Sequence, residues 1–353
     1  MSAAERFAAL RADPAFARLR AVSARLGADP LQVQGAGGNT SFKRGDAMLI
    51  KASGLWLAEA EARDVFVPVD LAGLRAAVAR DDPGAEAALA QVPPEANPGG
   101  LRPSIETTVH AVCPAPVVLH THCVATIAAA MRADGEAVAM AALDGLGAMW
   151  VPYVKPGLRL AREIAGRLRP DTRLIVLGNH GIVACADDAG EGESLLAEAA
   201  ARLAAPLAFG GAAPAPGLAE ALRDVDYRPL DAPATQALAR DATRLARAAA
   251  GSFWPDHVIF LGRGLACAAP GETAAQAAAR LGRPALLFLP GLGAAMREDA
   301  SAGAQALAAC VGDVFARVAD GAPLRPFTAT EEDALLNWDA EKYRQSLDAG
   351  GAA

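Results

Sequence analysis

The chain has 353 residues, a formal net charge of −7 and 53% apolar residues, enough for one large or two medium hydrophobic cores. Its basic residues are scattered, which argues against nucleic acid or an anionic membrane as partner. The amino terminus, MSAAERFAALRADPAFARLRAV, carries charges every few residues and lacks the apolar run of a secretory signal. Arg132, Asp134, Glu136 and Asp144 interrupt the alanine-rich stretch from Val124 to Val151, so it does not read as a membrane span. Five cysteines without C-x-x-C spacing read as thiols of a reducing compartment. The expectation is a soluble cytoplasmic protein.

From Glu5 to Leu26 the positions of Phe7, Leu10, Phe16, Leu19, Val22 and Leu26 predict one helix or two, broken near Asp13-Pro14. Gly35-Ala36-Gly37-Gly38-Asn39 reads as a flexible loop, and Met48–Ala52 and Val65–Val69 as strands. Leu71–Ala79 reads as a helix, and the twenty residues after it as a loop. Pro103-Ser104 starts a two-turn helix from Ile105 to Val112. The apolar run Val117-Val118-Leu119 makes a strand that ends in His120-Thr121-His122, followed by a helix from Val124 to about Met131. A helix follows near Leu158–Arg169. Strands Leu174–Leu177 and Ile182–Ala186 pair across the His180-Gly181 turn, and a helix from about Glu191 to Leu203 closes the unit. Such an order implies an α/β/α arrangement around a largely antiparallel sheet.

The proline- and glycine-rich stretch Ala205–Gly217 marks a boundary between a domain over 1–205 and a smaller α/β segment over 206–353. In that segment we expect helix Ala234–Ala250, strands Val258–Leu261 and Ala285–Leu289, helix Ala300–Ala319 and a final helix containing Glu331–Tyr343. Pro290-Gly291-Leu292-Gly293 reads as a tight strand-to-helix connection. Its glycines lack the spacing and acid of a dinucleotide site, so the segment should bind no nucleotide of its own.

Three of the five histidines lie within 13 positions: His110, His120 and His122. Residues two apart on a strand share a face, so His120 and His122 aim at one point and suit a divalent metal. A third such residue would close the set, and His180 stands at the end of another strand-like run. H-x-H alone also fits solvent-facing strand positions. Glu106 and His110 are one helical turn apart, and a carboxylate in a first turn is also favoured by the helix dipole alone. Gly37-Gly38-Asn39-Thr40-Ser41 and Lys51-Ala52-Ser53-Gly54 are dense in N–H and hydroxyl donors. Such loops suit anions, though most are only turns.

In order, Gly38-Asn39-Thr40-Ser41, Lys51-Ala52-Ser53-Gly54, the run Ser104–His110, His120-Thr121-His122 and the run Asn179–Cys185 resemble the class II aldolase/adducin family over about residues 5–205. The later part resembles the segment after the aldolase unit of bifunctional rhamnulose-1-phosphate aldolase/lactaldehyde dehydrogenase chains, whose dehydrogenase half has no counterpart in this sequence. The resemblance implies His120, His122 and His180 as ligands of zinc or another divalent metal, and Glu106 as catalytic acid/base. It places Asn39, Ser53, Gly54 and Ser104 around a substrate phosphate. Lys51 and Ile105 replace hydroxyl residues frequent in the family, so Lys51 joins the anion set and a carboxylate would serve as well as a phosphate.

The implied function is a zinc-dependent lyase that cleaves a hydroxylated ketose phosphate or related sugar by retro-aldol reaction through a metal-stabilised enediolate. Decarboxylation of an oxidised sugar acid is the alternative on the same framework. An epimerase, a dehydratase, a zinc hydrolase and a non-catalytic adducin-like scaffold rank below it. Pockets of the family form between subunits, so a homotetramer is expected, with Tyr153 or Tyr343 as a candidate proton donor.

Overall fold

The computed structural model describes residues 2–349. The chain divides into two compact units, one running to Thr126 and resuming over Glu136–Leu203, the other comprising Ile127–Gly135 and the chain from Ala204 onward. Among the described residues no helix is long and apolar enough to cross a membrane, and Cys113, Cys185 and Cys267 are free thiols.

The first unit begins with helices α1 (Ala3–Arg11) and α2 (Pro14–Ala28), separated where Asp13 caps α2 and Pro14 occupies its first position. Strands β1 (Asn39–Arg44), β2 (Ala47–Lys51) and β3 (Phe66–Asp70) precede helix α3 (Leu71–Ala79). Helix α4 (Thr107–Val112) leads into β4 (Val117–Thr121); helix α5 (Val124–Ala130), which from Ile127 belongs to the second unit, and helix α6 (Gly135–Ala142) follow. Strand β5 (Ala148–Val151), helix α7 (Leu158–Ala165), strands β6 (Leu174–Leu177) and β7 (Ile182–Ala186) and helix α8 (Ala189–Leu203) complete the order.

The seven strands form one sheet in the order β3-β2-β1-β4-β7-β6-β5. Every pair is antiparallel except β5 with β6. That pair is joined through α7, the kind of helical crossover a parallel pair requires. Met48, Ile50, Val67 and Val69 bury one face against Leu71 and Leu74 of α3. Val118, Ile175, Val183 and Cys185 extend that face against Val109 of α4 and Leu160 and Ile164 of α7. On the opposite face Phe42 meets Phe16 of α2, and Leu119 lies against Gly192 of α8. The fold is thus the expected α/β/α arrangement with a largely antiparallel sheet.

Two strands differ from the sequence expectation. Asn39–Arg44 is a strand that the sequence left unassigned beyond Asn39, the last residue of the expected loop from Gly35, and Ala148–Val151 adds the edge β5. The twenty residues after α3 form three short 3-10 turns, and α7 ends at Ala165 instead of Arg169.

The second unit holds a three-stranded antiparallel sheet in the order β8 (Tyr227–Pro229), β10 (Gly293–Arg297), β9 (Leu286–Leu289). Its helices are α9 (Leu218–Ala221), α10 (Pro233–Arg240), α11 (Ala242–Ala248), α12 (Pro255–Leu261), α13 (Ala274–Arg280), α14 (Ala302–Ala316), α15 (Ala329–Leu336) and α16 (Asp339–Ala349). Val258–Leu261, expected as a strand, is the end of α12. Pro255 at the first turn starts a helix that a four-residue apolar run cannot distinguish from a strand. Pro290-Gly291-Leu292-Gly293 turns the chain from β9 into β10, so it joins strand to strand and not strand to helix. The expected helices Ala234–Ala250 and Glu331–Tyr343 are each divided in two, at Asp241 and near Asn337.

Candidate functional site

His120 lies at the end of β4, opposite Asn39 of β1 on one side and Val183 of β7 on the other. His122 follows just beyond the strand, and His180 sits in the turn between β6 and β7. In that turn Asn179 takes a left-handed φ of 52°, a conformation asparagine tolerates. Gly181 passes so close to β4 that a Cβ would stand 2.4 Å from the Thr121 carbonyl oxygen and 3.2 Å from His120 Cε1. Only glycine lets the two backbones approach this far. Glu106 stands at the N-cap of α4, but its side chain makes no capping bond. Its carboxylate turns toward the histidines instead of serving the helix end.

Glu106, His120, His122 and His180 each bring one ligand atom into a group whose members all lie within 4.8 Å of one another, and all four residues are buried. His120 Nε2 is 3.2 Å from Glu106 Oε2, and His180 Nε2 is 3.7 Å from Glu106 Oε1. His120 Nδ1 donates to the Ile182 carbonyl at 3.0 Å, which leaves its Nε2 lone pair facing His122 Nε2 at 3.1 Å. Glu106 Oε1 is buried without a hydrogen-bond partner. Converging ring nitrogens and an orphaned carboxylate oxygen fit a divalent cation, since positive charge between them relieves both. Burial alone would push the Glu106 carboxyl up; positive charge at the histidine cluster, with the Asn39 hydrogen bond, outweighs it and holds the group at about 2.

Strand β1 supports this cluster through alternate residues. Thr40 and Phe42 face α2, where Thr40 Oγ1 meets Ser23 Oγ at 2.7 Å. Asn39, Ser41 and Lys43 face α4. Asn39 Nδ2 donates to Glu106 Oε2 at 2.8 Å, and Asn39 Oδ1 is 2.5 Å from His110 Nε2. Ser41 Oγ is 2.8 Å from His110 Nδ1. Lys43 Nζ, buried, donates to the carbonyls of His110 at 2.7 Å and Cys113 at 2.5 Å, closing the C-terminal end of α4. Burial brings the Lys43 ammonium down to about 8 and the His110 imidazolium well below its ordinary value. The sequence did not point to Ser41 and Lys43 as supports of α4. The only hint was the Glu106/His110 spacing, which places both on the face of α4 that β1 grips.

The residues expected around an anion are divided. An isolated bridge between Ala52 and Pro103, with Ser53 N donating to Arg102 O and Ser104 N to Lys51 O, sets the Ser53-Gly54 turn beside Ser104. Gly54 has φ 76° there. Ser104 Oγ accepts the Glu106 N–H at 3.2 Å, within the turn that begins α4. Asn39 is committed to Glu106 and His110. Lys51 is buried beneath the glycine loop, where its ammonium donates to the carbonyls of Ala36 at 2.7 Å and Gly38 at 3.2 Å.

The region that holds this site is similar to known proteins. The family model described as Class II Aldolase and Adducin N-terminal domain matches residues 18–205. A Bacillus subtilis (strain 168) protein named Uncharacterized oxidoreductase YuxG is 33% identical over 179 residues, which cover 45% of this chain and 24% of that protein. The chain thus spans about a quarter of the length of that curated relative. Among solved structures, the N-terminal class II aldolase domain of a conserved protein from Thermoplasma acidophilum is 26% identical. That match covers 53% of this chain and 90% of the other, with a TM-score of 0.48. An l-fuculose-1-phosphate aldolase from Thermus thermophilus is 19% identical over 54% of this chain and 91% of the other, with a TM-score of 0.38. With its Glu106 and three-histidine cluster inside the matched region, this chain belongs to the class II aldolase and adducin N-terminal domain family.

Proposed function

We propose that this protein is a metal-dependent carbon–carbon lyase that cleaves a hydroxylated ketose phosphate, or a related sugar, by retro-aldol reaction. The observation that carries this reading is the convergence of His120, His122, His180 and Glu106 with one carboxylate oxygen left unpartnered. His120, His122 and His180 would hold the ion, and zinc suits a set of neutral imidazoles. A cation bound there supplies the positive charge against which negative charge develops on the ketose oxygens.

In retro-aldol cleavage the substrate hydroxyl loses its proton, the adjacent carbon–carbon bond breaks, and its electron pair passes toward the ketose carbonyl. An aldehyde departs and an enediolate remains, which takes up a proton at carbon. Glu106 Oε1 is the group placed to exchange protons at that point, because Oε2 is occupied by Asn39. Ser53, Gly54 and Ser104 would receive the substrate's anionic end, and Lys51 would serve them by holding the glycine loop. This reading includes a homotetrameric assembly, the neighbouring subunit closing the pocket, and a reducing cytoplasm.

The test is product analysis with metal-loaded protein on a panel of ketose phosphates and sugar acids. Aldehyde released with one equivalent of a three-carbon ketone fragment is the expected result. Carbon dioxide without aldehyde would replace the reading by decarboxylation, and no product from any member of the panel would overturn it.

A further inference from the structure

Asn39, His110 and Ser41 form a hydrogen-bonded chain behind Glu106 whose direction is fixed at every link. A carboxylate oxygen only accepts, so the atom of Asn39 facing Glu106 Oε2 at 2.8 Å is the amide nitrogen. The amide's other atom, Oδ1, therefore accepts, and His110 Nε2, 2.5 Å away, must carry the proton. The buried imidazole is neutral, so Nδ1 is bare and Ser41 Oγ–H donates to it at 2.8 Å. Lys43, two residues further along β1, holds the His110 carbonyl, so the ring cannot drift along the strand.

We infer that His110 is a positioning residue for Glu106: by fixing the orientation of the Asn39 amide, it keeps one carboxylate oxygen occupied and the other open to the reacting ligand. This rests on the lyase reading for its kinetic consequence but not for its geometry. Without the His110 donor, the Asn39 amide can rotate and present Oδ1 to the carboxylate, which repels it. Glu106 would then sample orientations in which neither oxygen is reliably free. The side-chain hydrogen bonds that link the His110 ring to the Glu106 carboxylate run through Asn39.

Two measurements test the inference. The first uses the unmodified, metal-loaded protein: histidine-selective 15N spectra or neutron diffraction should show His110 protonated at Nε2 and bare at Nδ1. The opposite tautomer would overturn the inference, whatever reaction the protein catalyses. The second uses H110L and H110Q. H110L should lose about 10- to 100-fold in kcat, with KM and metal content near those of the parent, and its crystal structure should show the Asn39 amide turned from Glu106. H110Q, whose amide can still donate to Asn39 Oδ1, should recover most of that loss. Equal activity in H110L, or H110Q no better than H110L, would reduce His110 to a buried filler. Should H110L fail to fold, the tautomer and the H110Q kinetics still decide. A parent protein that turns over nothing defeats the lyase reading alone, and the tautomer then decides the role of His110.

Discussion

Asn39 and Glu106, 67 positions apart in the chain, are joined by a 2.8 Å hydrogen bond from Asn39 Nδ2 to Glu106 Oε2 inside the buried site. The bond ties the first residue of β1 to the residue that opens α4, and it decides which carboxylate oxygen is open. Asn39→Asp replaces the donor by a second carboxylate of nearly the same shape. Two carboxylates at that separation cannot both ionise, so one keeps its proton. We expect kcat to fall by about 10²-fold or more and stability by about 1–3 kcal/mol, read from steady-state kinetics and urea melts. Unchanged kinetics in Asn39→Asp would remove Asn39 from the site.

Glu106→Gln keeps the side chain's size and removes its capacity to exchange protons. With the three histidines untouched, metal content should remain close to that of the parent. Turnover should drop by about 10²–10⁴-fold, the usual worth of a positioned acid or base. Metal analysis and product assays on the same preparation separate the two effects. Loss of metal together with activity would instead make Glu106 chiefly a ligand.

The histidine pair and its strand were legible because apolar residues lead into His120-Thr121-His122, and a period of two puts both rings on one face. Asn179-His180-Gly181 was legible as a turn between two apolar runs. Strand β1 was not legible. Its inward face carries Asn39, Ser41 and Lys43, polar groups whose partners on α4 cannot be read from spacing, and three glycines precede it. Pattern reading expects apolar residues to face inward, so a strand with a buried polar face goes unassigned. The same limit applies to Lys51, whose charge suggested an anion but whose ammonium lies on two backbone carbonyls. In the second unit, Val258–Leu261 failed for a different reason, since a short apolar run carries no period.

Gly181→Ala probes the turn that delivers His180. A Cβ there would stand 2.4 Å from the Thr121 carbonyl oxygen and press on His120 Cε1 at 3.2 Å. The turn between β6 and β7 must move away from β4, which carries His180 away from His120 and His122. We expect metal content to fall well below one ion per chain at a concentration that saturates the parent, with circular dichroism nearly unchanged. Full metal occupancy in Gly181→Ala would show that the close approach is not needed to assemble the site.

His257 makes the stability of the protein depend on pH independently of the metal site. The ring is fully buried on α12, with Nε2 donating to the Gly264 carbonyl at 2.9 Å and Nδ1 without a hydrogen-bond partner. Burial lowers its pKa from the ordinary 6.5 to about 4, the Gly264 bond opposing that shift only in part. Above about pH 6.5 the ring is neutral both folded and unfolded, and the full stability is present. As pH falls below that value, the unfolded chain takes up a proton that the folded protein refuses until about pH 4. Stability is therefore lost across that window at up to about 1.4 kcal/mol per pH unit. His110, buried and shifted in the same direction, adds a loss of the same sign. His257→Gln keeps a donor for the Gly264 carbonyl and removes the titration. Urea unfolding of the parent and the variant at pH 7.5, 6 and 5 should show the parent losing more stability than the variant, by about one proton's worth of slope. Parallel losses in the two proteins would mean that His257 titrates alike in the folded and unfolded chains.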